Sequence, residues 1–137
     1  MAQHLTPELV LQPRFMKHAN GARLVTESIV CACEPERYAR KYSRYTNHEY
    51  GSVEDHFTVD IGSRAHISVV TPEQVGELIP GAEAPAVPSL VGFTVAVANL
   101  DCARRLLEKN LVRFQEFQGR LVVSAADACG SAVLFEA

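Results

Sequence analysis

Glu27-Ser-Ile-Val-Cys-Ala-Cys-Glu-Pro-Glu-Arg-Tyr-Ala-Arg40 and Gly92-Phe-Thr-Val-Ala-Val-Ala-Asn-Leu-Asp-Cys-Ala-Arg-Arg105 spell one strand-to-helix unit twice, 65 positions apart. In the first copy a β-rich run stops at Glu34-Pro35, where proline at the first helical position forfeits no hydrogen bond. In the second, Asn99-Leu-Asp101 opens the helix, with Asp101 read as the N-cap. A duplicated unit bounds fold and site together, because two such sheets facing each other leave a ligand cavity between them.

Working outward, residues 24–33 read as a strand and 35–45 as a helix. That helix carries Tyr38, Tyr42 and Tyr45 on one face, read as packing, and Arg37, Lys41 and Arg44 on another. Residues 47–55 are polar, contain Gly51, and read as a loop. Phe57-Thr-Val-Asp-Ile61 and Arg64-Ala-His-Ile-Ser-Val-Val70 alternate apolar and polar around a Gly62-Ser63 turn, the pattern of a hairpin. A helix over Val75, Leu78 and Ile79 follows, ended by Pro80-Gly81. In the second copy a strand over 90–98 leads into a helix with Cys102, Ala103, Leu106 and Leu107 inward, then strands near 112–117, 120–124 and 131–137, giving β-α-β-β-β. The chain therefore divides into an amino-terminal arm (1–22), a first, degenerate βαβββ-like module (23–81) and a linker (82–89). A second βαβββ module (90–137) completes it.

Composition narrows the partners. The chain has 137 residues, 47% of them hydrophobic, enough for one domain with a real core. Thirteen basic against sixteen acidic residues, with no Lys/Arg run, argue against nucleic acid as a partner. No apolar run approaches the ~20 residues of a membrane span, and the opening Met1-Ala-Gln-His-Leu lacks a basic region followed by an apolar core, so a cytoplasmic location is expected and no membrane partner. Cys31 and Cys33 sit too close along one strand to be bridged without strain, and Cys102 and Cys129 are distant, so the four cysteines read as packed free thiols.

The doubled unit, the Asn99-Leu-Asp101 helix start and the closing Asp127-Ala-Cys-Gly-Ser-Ala-Val-Leu-Phe-Glu136 together resemble the vicinal oxygen chelate superfamily, which includes glyoxalase I, extradiol dioxygenases and fosfomycin-resistance proteins. Within it the chain is most similar to the glyoxalase-like domain family, on Gln3-His-Leu-Thr-Pro-Glu8, His18-Ala-Asn-Gly-Ala22 and Gly119-Arg-Leu-Val-Val123. The resemblance implies an α+β fold: paired βαβββ modules forming a curved, incompletely closed mixed sheet with helices outside. Because the Gln3 phrase falls near the middle of longer family members, it also implies the carboxy-terminal half of a two-part protein. A homodimer, or the missing amino-terminal half, would then cover the arm and one sheet face.

Metal-dependent members of the superfamily place His or Glu ligands on the first and last strands of each module. By that resemblance Glu27 holds the first position, Gly92 the second and Leu134 the one on the last strand, with Glu136 two residues beyond. The fourth position is expected to be lost, the first module's last strand being replaced by the helix over 72–79. One carboxylate out of four is not a metal set, so no cofactor is expected and no divalent metal at the standard positions. Other signatures, such as Gly-x-Ser-x-Gly, a phosphate-binding glycine loop or His-Glu-x-x-His, are absent from the sequence. Two readings follow. One is a glyoxalase-like protein, a lyase or dioxygenase relative with a pocket for a small-molecule ligand, in which Glu27 and His66 are the candidate proton-transfer residues. The other is a non-catalytic binding or assembly module. On strand alternation Glu27 and His66 each either line the cavity or meet water, while His4, His18, His48 and His56 sit in arm or loop segments.

Overall fold

Two strands rich in β-branched residues, β1 (Ala22–Cys31) and β5 (Ser89–Val97), lie antiparallel at the centre of a mixed eight-stranded sheet. The computed structural model describes residues 5–10, 12–62, 64–84 and 86–137. His4 and Ser63, and the Gln3-His4 opening of the arm's family-like phrase, lie outside them. Before β1 the arm holds two single-turn helices, α1 (Pro7–Val10) and α2 (Pro13–Met16). After β1 come α3 (Pro35–Thr46), β2 (Tyr50–Val53), β3 (His56–Asp60), β4 (His66–Val70) and the short α4 (Val75–Leu78). After β5 come α5 (Leu100–Lys109), β6 (Gln115–Phe117), β7 (Arg120–Val123) and β8 (Ala132–Glu136). No helix among the described residues is long and apolar enough to cross a membrane.

The strand order β2-β3-β4-β1-β5-β8-β7-β6 is the same four-stranded unit written outward from the centre twice. Each unit pairs its first and last strands in parallel, β1 with β4 and β5 with β8, and its other neighbours antiparallel. The first unit is thus a full β-α-β-β-β. Reading 47–55 as a loop misses β2, and that omission is why a fourth strand looks replaced; β4 is the fourth strand and α4 comes after it. The reason lies in local chemistry: Tyr50-Gly-Ser-Val53 is an edge strand with three exposed residues, so no buried face imposes an alternating pattern on its sequence.

Helices α3 and α5 cover one face of the sheet. Ala39, with Tyr38 and Tyr42, packs α3 on Val30, Val59, Ile67 and Val69. Ala103, with Leu100 and Leu107, packs α5 on Val95, Val97, Leu121, Val123 and Phe135. Tyr45, the third member of the expected tyrosine face, stays exposed. The N-cap of α5 is Asn99, whose Oδ1 accepts from the Cys102 amide at 2.9 Å, so Asp101 lies inside the first turn and Cys102 points outward. Only Cys31 of the four cysteines is buried; Cys33, Cys102 and Cys129 are exposed thiols.

The opposite face carries α4 and the site. Arg120 on β7 reaches Glu27 on β1 across two intervening strands. In a flat sheet those strands are about 14 Å apart at the usual ~4.8 Å spacing, so the sheet curls around this face.

Candidate functional site

Glu27 sits on β1 next to an irregularity in the β1–β5 ladder: Val25 faces Val95 and Glu27 faces Thr94, leaving Thr26 as an extra residue. Such a bulge re-aims side chains, and here Thr26 and Glu27 both serve the α4-side face. Glu27 as a residue is 6% exposed. Ser68 Oγ donates to its Oε1 at 2.6 Å and Thr94 Oγ1 to its Oε2 at 2.8 Å. His66, its register partner on β4, brings Nε2 to 3.4 Å from Oε1, and Arg120 Nη1 lies 3.5 Å from Oε2. Arg120 Nε is 3.3 Å from Glu136 Oε2, and Thr26 Oγ1 donates to Glu136 Oε1 at 2.7 Å.

Burial would raise the Glu27 carboxyl, but hydrogen bonds from His66, Ser68 and Thr94 and the charge of His66 outweigh it, lowering its pKa from 4.5 to about 2. The His66 imidazole moves the other way. Its hydrogen bond to Glu27 holds its pKa above the ordinary value against the opposing effect of burial, helped by the charges of Glu27, Asp60 and Glu136. At neutral pH Glu27 is therefore a carboxylate of low basicity, and His66, its protonated form favoured, keeps 38% of its side chain exposed.

The doubling of the fold shows how unusual this cluster is. Ser28 and Phe93 pair at the centre of the β1–β5 ladder, so the pairs on either side, Glu27 with Thr94 and Ile29 with Gly92, exchange under the internal two-fold. Glu27 corresponds to Gly92, the 65-residue offset visible in the sequence. The parallel registers then match His66 to Ala132, Ser68 to Leu134 and Glu136 to Val70. The outer ladders match Arg120 to His56, and the two ladder irregularities match Thr26 to Val91. Thr94 corresponds to Ile29. Every member of the cluster is polar, and apart from His56 every counterpart is apolar or glycine. That second half is a hydrocarbon core: Ile29, Val70, Val91, Ala132 and Leu134 pack with Val75 and Ile79 of the α4 segment. A Cβ placed on Gly92 would stand 2.8 Å from Ile79 Cδ1. Packing alone is satisfied by the apolar version, so the fold does not require the polar one.

The structure brings the two sequence-predicted residues, Glu27 and His66, into contact on the side-chain-lined face, away from the alternative of bulk solvent for Glu27. Ser68, Thr94, Arg120, Glu136 and Thr26 were not singled out beforehand, apart from Glu136 as a displaced ligand position. An apolar-polar alternation marks which face they share, but not that β7 curls back to β1. The three positions that the family resemblance marks for metal ligands hold Glu27, Gly92 and Leu134, and the internal two-fold adds Ser68 as the counterpart of Leu134. Glu27 has both oxygens engaged, Ser68 donates to it, Ile79 fills the space over Gly92, and Leu134 is fully buried. That is not a donor set for a divalent ion. Among the described residues no group of three or more His, Cys, Asp or Glu side chains converges as metal ligands.

No protein-family model matches the sequence, and neither does any curated protein. Solved structures do match the fold. Methylmalonyl-CoA epimerase from Mycobacterium tuberculosis aligns with 13% identity and a TM-score of 0.64 over 90% of this chain and 93% of its own. Streptomyces coelicolor methylmalonyl-CoA epimerase in complex with 2-nitronate-propionyl-CoA aligns with 11% identity and a TM-score of 0.61, over 85% and 96%. A hypothetical protein from Bacillus halodurans gives 11% and 0.58, over 82% and 91%. At such identities the likeness is one of architecture, the glyoxalase-like vicinal oxygen chelate fold.

Proposed function

We propose that this chain is a glyoxalase-like protein that binds a small polar carbonyl compound in the polar half of its α4-side face, and that the chemistry there is proton transfer at His66. Glu27 orients the imidazole and stabilises its protonated form. Ser68 and Thr94 hold Glu27 in turn, so the proton-carrying group is positioned by a rigid second layer. The observation that carries this reading is the asymmetry across the internal two-fold: a buried carboxylate ringed by His66, Ser68, Thr94 and Arg120 where the counterpart half is sealed by hydrocarbon. Burying such a set costs stability that an apolar filling would not, which favours retention for a task. A lyase-type, redox-neutral reaction suits a site whose titratable centre is an imidazole. We place no divalent metal at the standard positions and expect a cytoplasmic protein.

Metal analysis of the purified protein, followed by thermal-shift screening, tests this. We expect no stoichiometric Zn, Ni, Mn or Fe. Melting-temperature shifts are expected with small carbonyl compounds; aromatic diols and methylmalonyl-CoA, the ligand named with one solved neighbour, complete the screen. A stoichiometric metal sinks the metal-free reading, and shifts that are null throughout sink the pocket. A second reading, an assembly module that pairs as a homodimer or with a missing amino-terminal half, is favoured by one observation: Leu5, Leu9, Phe15 and Met16 of the arm are all exposed.

A further inference from the structure

We infer that Arg120 anchors a carboxylate on the bound molecule, so that the pocket selects small oxo acids over their neutral esters; this rests on the reading of the polar half as a small-molecule pocket. The inference comes from how loosely Arg120 is held. A guanidinium has five N–H donors and, where it serves only as a structural partner, typically forks onto one carboxylate through two charge-assisted bonds of roughly 2.7–2.9 Å. Arg120 does neither. Its contacts to Glu27 and Glu136 are 3.5 and 3.3 Å, one to each, and its Nη2 makes no hydrogen bond among the described residues.

Nor do the two carboxylates depend on it. Glu27 takes its short bonds from Ser68 and Thr94, and Glu136 takes its own from Thr26 at 2.7 Å. Three hydroxyls thus satisfy the acids and leave the arginine's outer edge free, 30% exposed, on the same face as His66. An incoming carboxylate gains a bidentate partner at Arg120 by displacing only the Nε contact to Glu136, whose bond to Thr26 persists. Bound so, the ligand's adjoining carbonyl extends toward His66, the donor that, like Arg120, borders Glu27. Glu136 then acts as the internal competitor for the anchor. The counterpart position in the apolar half holds His56, beside Val70 where Glu136 would be, so no such arrangement recurs there.

The test uses pyruvate and its methyl ester as probes, titrated into the whole protein at constant ionic strength and followed by NMR shift changes. Wild type should prefer pyruvate by about tenfold or more, the discrimination expected for a charged hydrogen-bonded pair. R120Q should lose that preference while still binding the ester, R120K should keep part of it, and E136Q should tighten pyruvate several-fold without affecting the ester. Equal binding of acid and ester by wild type, or unchanged pyruvate binding in R120Q, overturns the anchor and leaves the pocket standing. Failure of both probes on wild type overturns the pocket and the anchor together. Should R120Q fail to fold, E136Q decides: unchanged or weakened pyruvate binding overturns the competitor role and the anchor with it.

Discussion

Glu27 is the residue on which the site turns, because it is a charge kept ionised where burial alone would neutralise it. Its pH signature follows from the two shifts. The folded pKa of Glu27 lies below its ordinary 4.5, so its contribution to stability is complete above that value and drains away as pH falls toward about 2. That of His66 is raised above 6.5, so its contribution is complete below 6.5 and is lost as pH rises through the folded value. The pair therefore stabilises the protein most between these limits. Glu27→Gln keeps the volume and one acceptor oxygen but removes the charge; it should cost about 1–3 kcal/mol near pH 6 and flatten both limbs of the pH profile in urea denaturation. Limbs as steep as in wild type would show that Glu27 and His66 are not coupled.

At the scale of elements, the α4 segment decides which half of the duplicated face is filled with hydrocarbon. Ile79, 1% exposed, lies over Gly92, and the Ala132 carbonyl oxygen stands 3.1 Å from where a Cβ would be. Gly92→Ala should therefore destabilise by about 1–3 kcal/mol through overpacking. Ile79→Val alone should cost about 0.5–1.5 kcal/mol. The double variant should be less unstable than the sum by roughly 0.5 kcal/mol or more, because the deleted methyl vacates the space that the new one needs. Strict additivity in a thermal or urea melt would mean that α4 does not press on β5. Elements were legible where a buried face or a cap imprinted the sequence, as in α3, α5 and β4. The strand β2 was missed because three of its four side chains are exposed, and β6 proved shorter than its apolar content suggests because Val112 and Phe114 pack against the α5 core from the irregular segment that precedes it.

For the molecule as a whole, the arm sets the expected state of association. Four large apolar side chains, Leu5 ahead of α1 and Leu9, Phe15 and Met16 on the two single-turn helices, are all exposed and favour pairing with a second copy. Sedimentation velocity should give a dimer, and the double substitution Phe15→Glu with Met16→Glu should shift it to monomer with little change in melting temperature. A single monomeric species for the unaltered chain would remove the arm from the assembly reading.

The sequence by itself determined the duplication, its 65-residue offset and the α+β class, because strand and helix periods and the capping residues are local properties written in neighbouring positions. It also singled out Glu27, by its place at the first ligand position of the family resemblance, and His66, on the less apolar face of its strand. Only the tertiary structure decided that they touch, that Arg120 and Glu136 join them from 93 and 109 residues further along than Glu27, and that Gly92 is glycine because Ile79 needs its room. Those facts depend on sheet curvature and on which element lies over which face, and both are set by long-range packing that no short window of sequence contains.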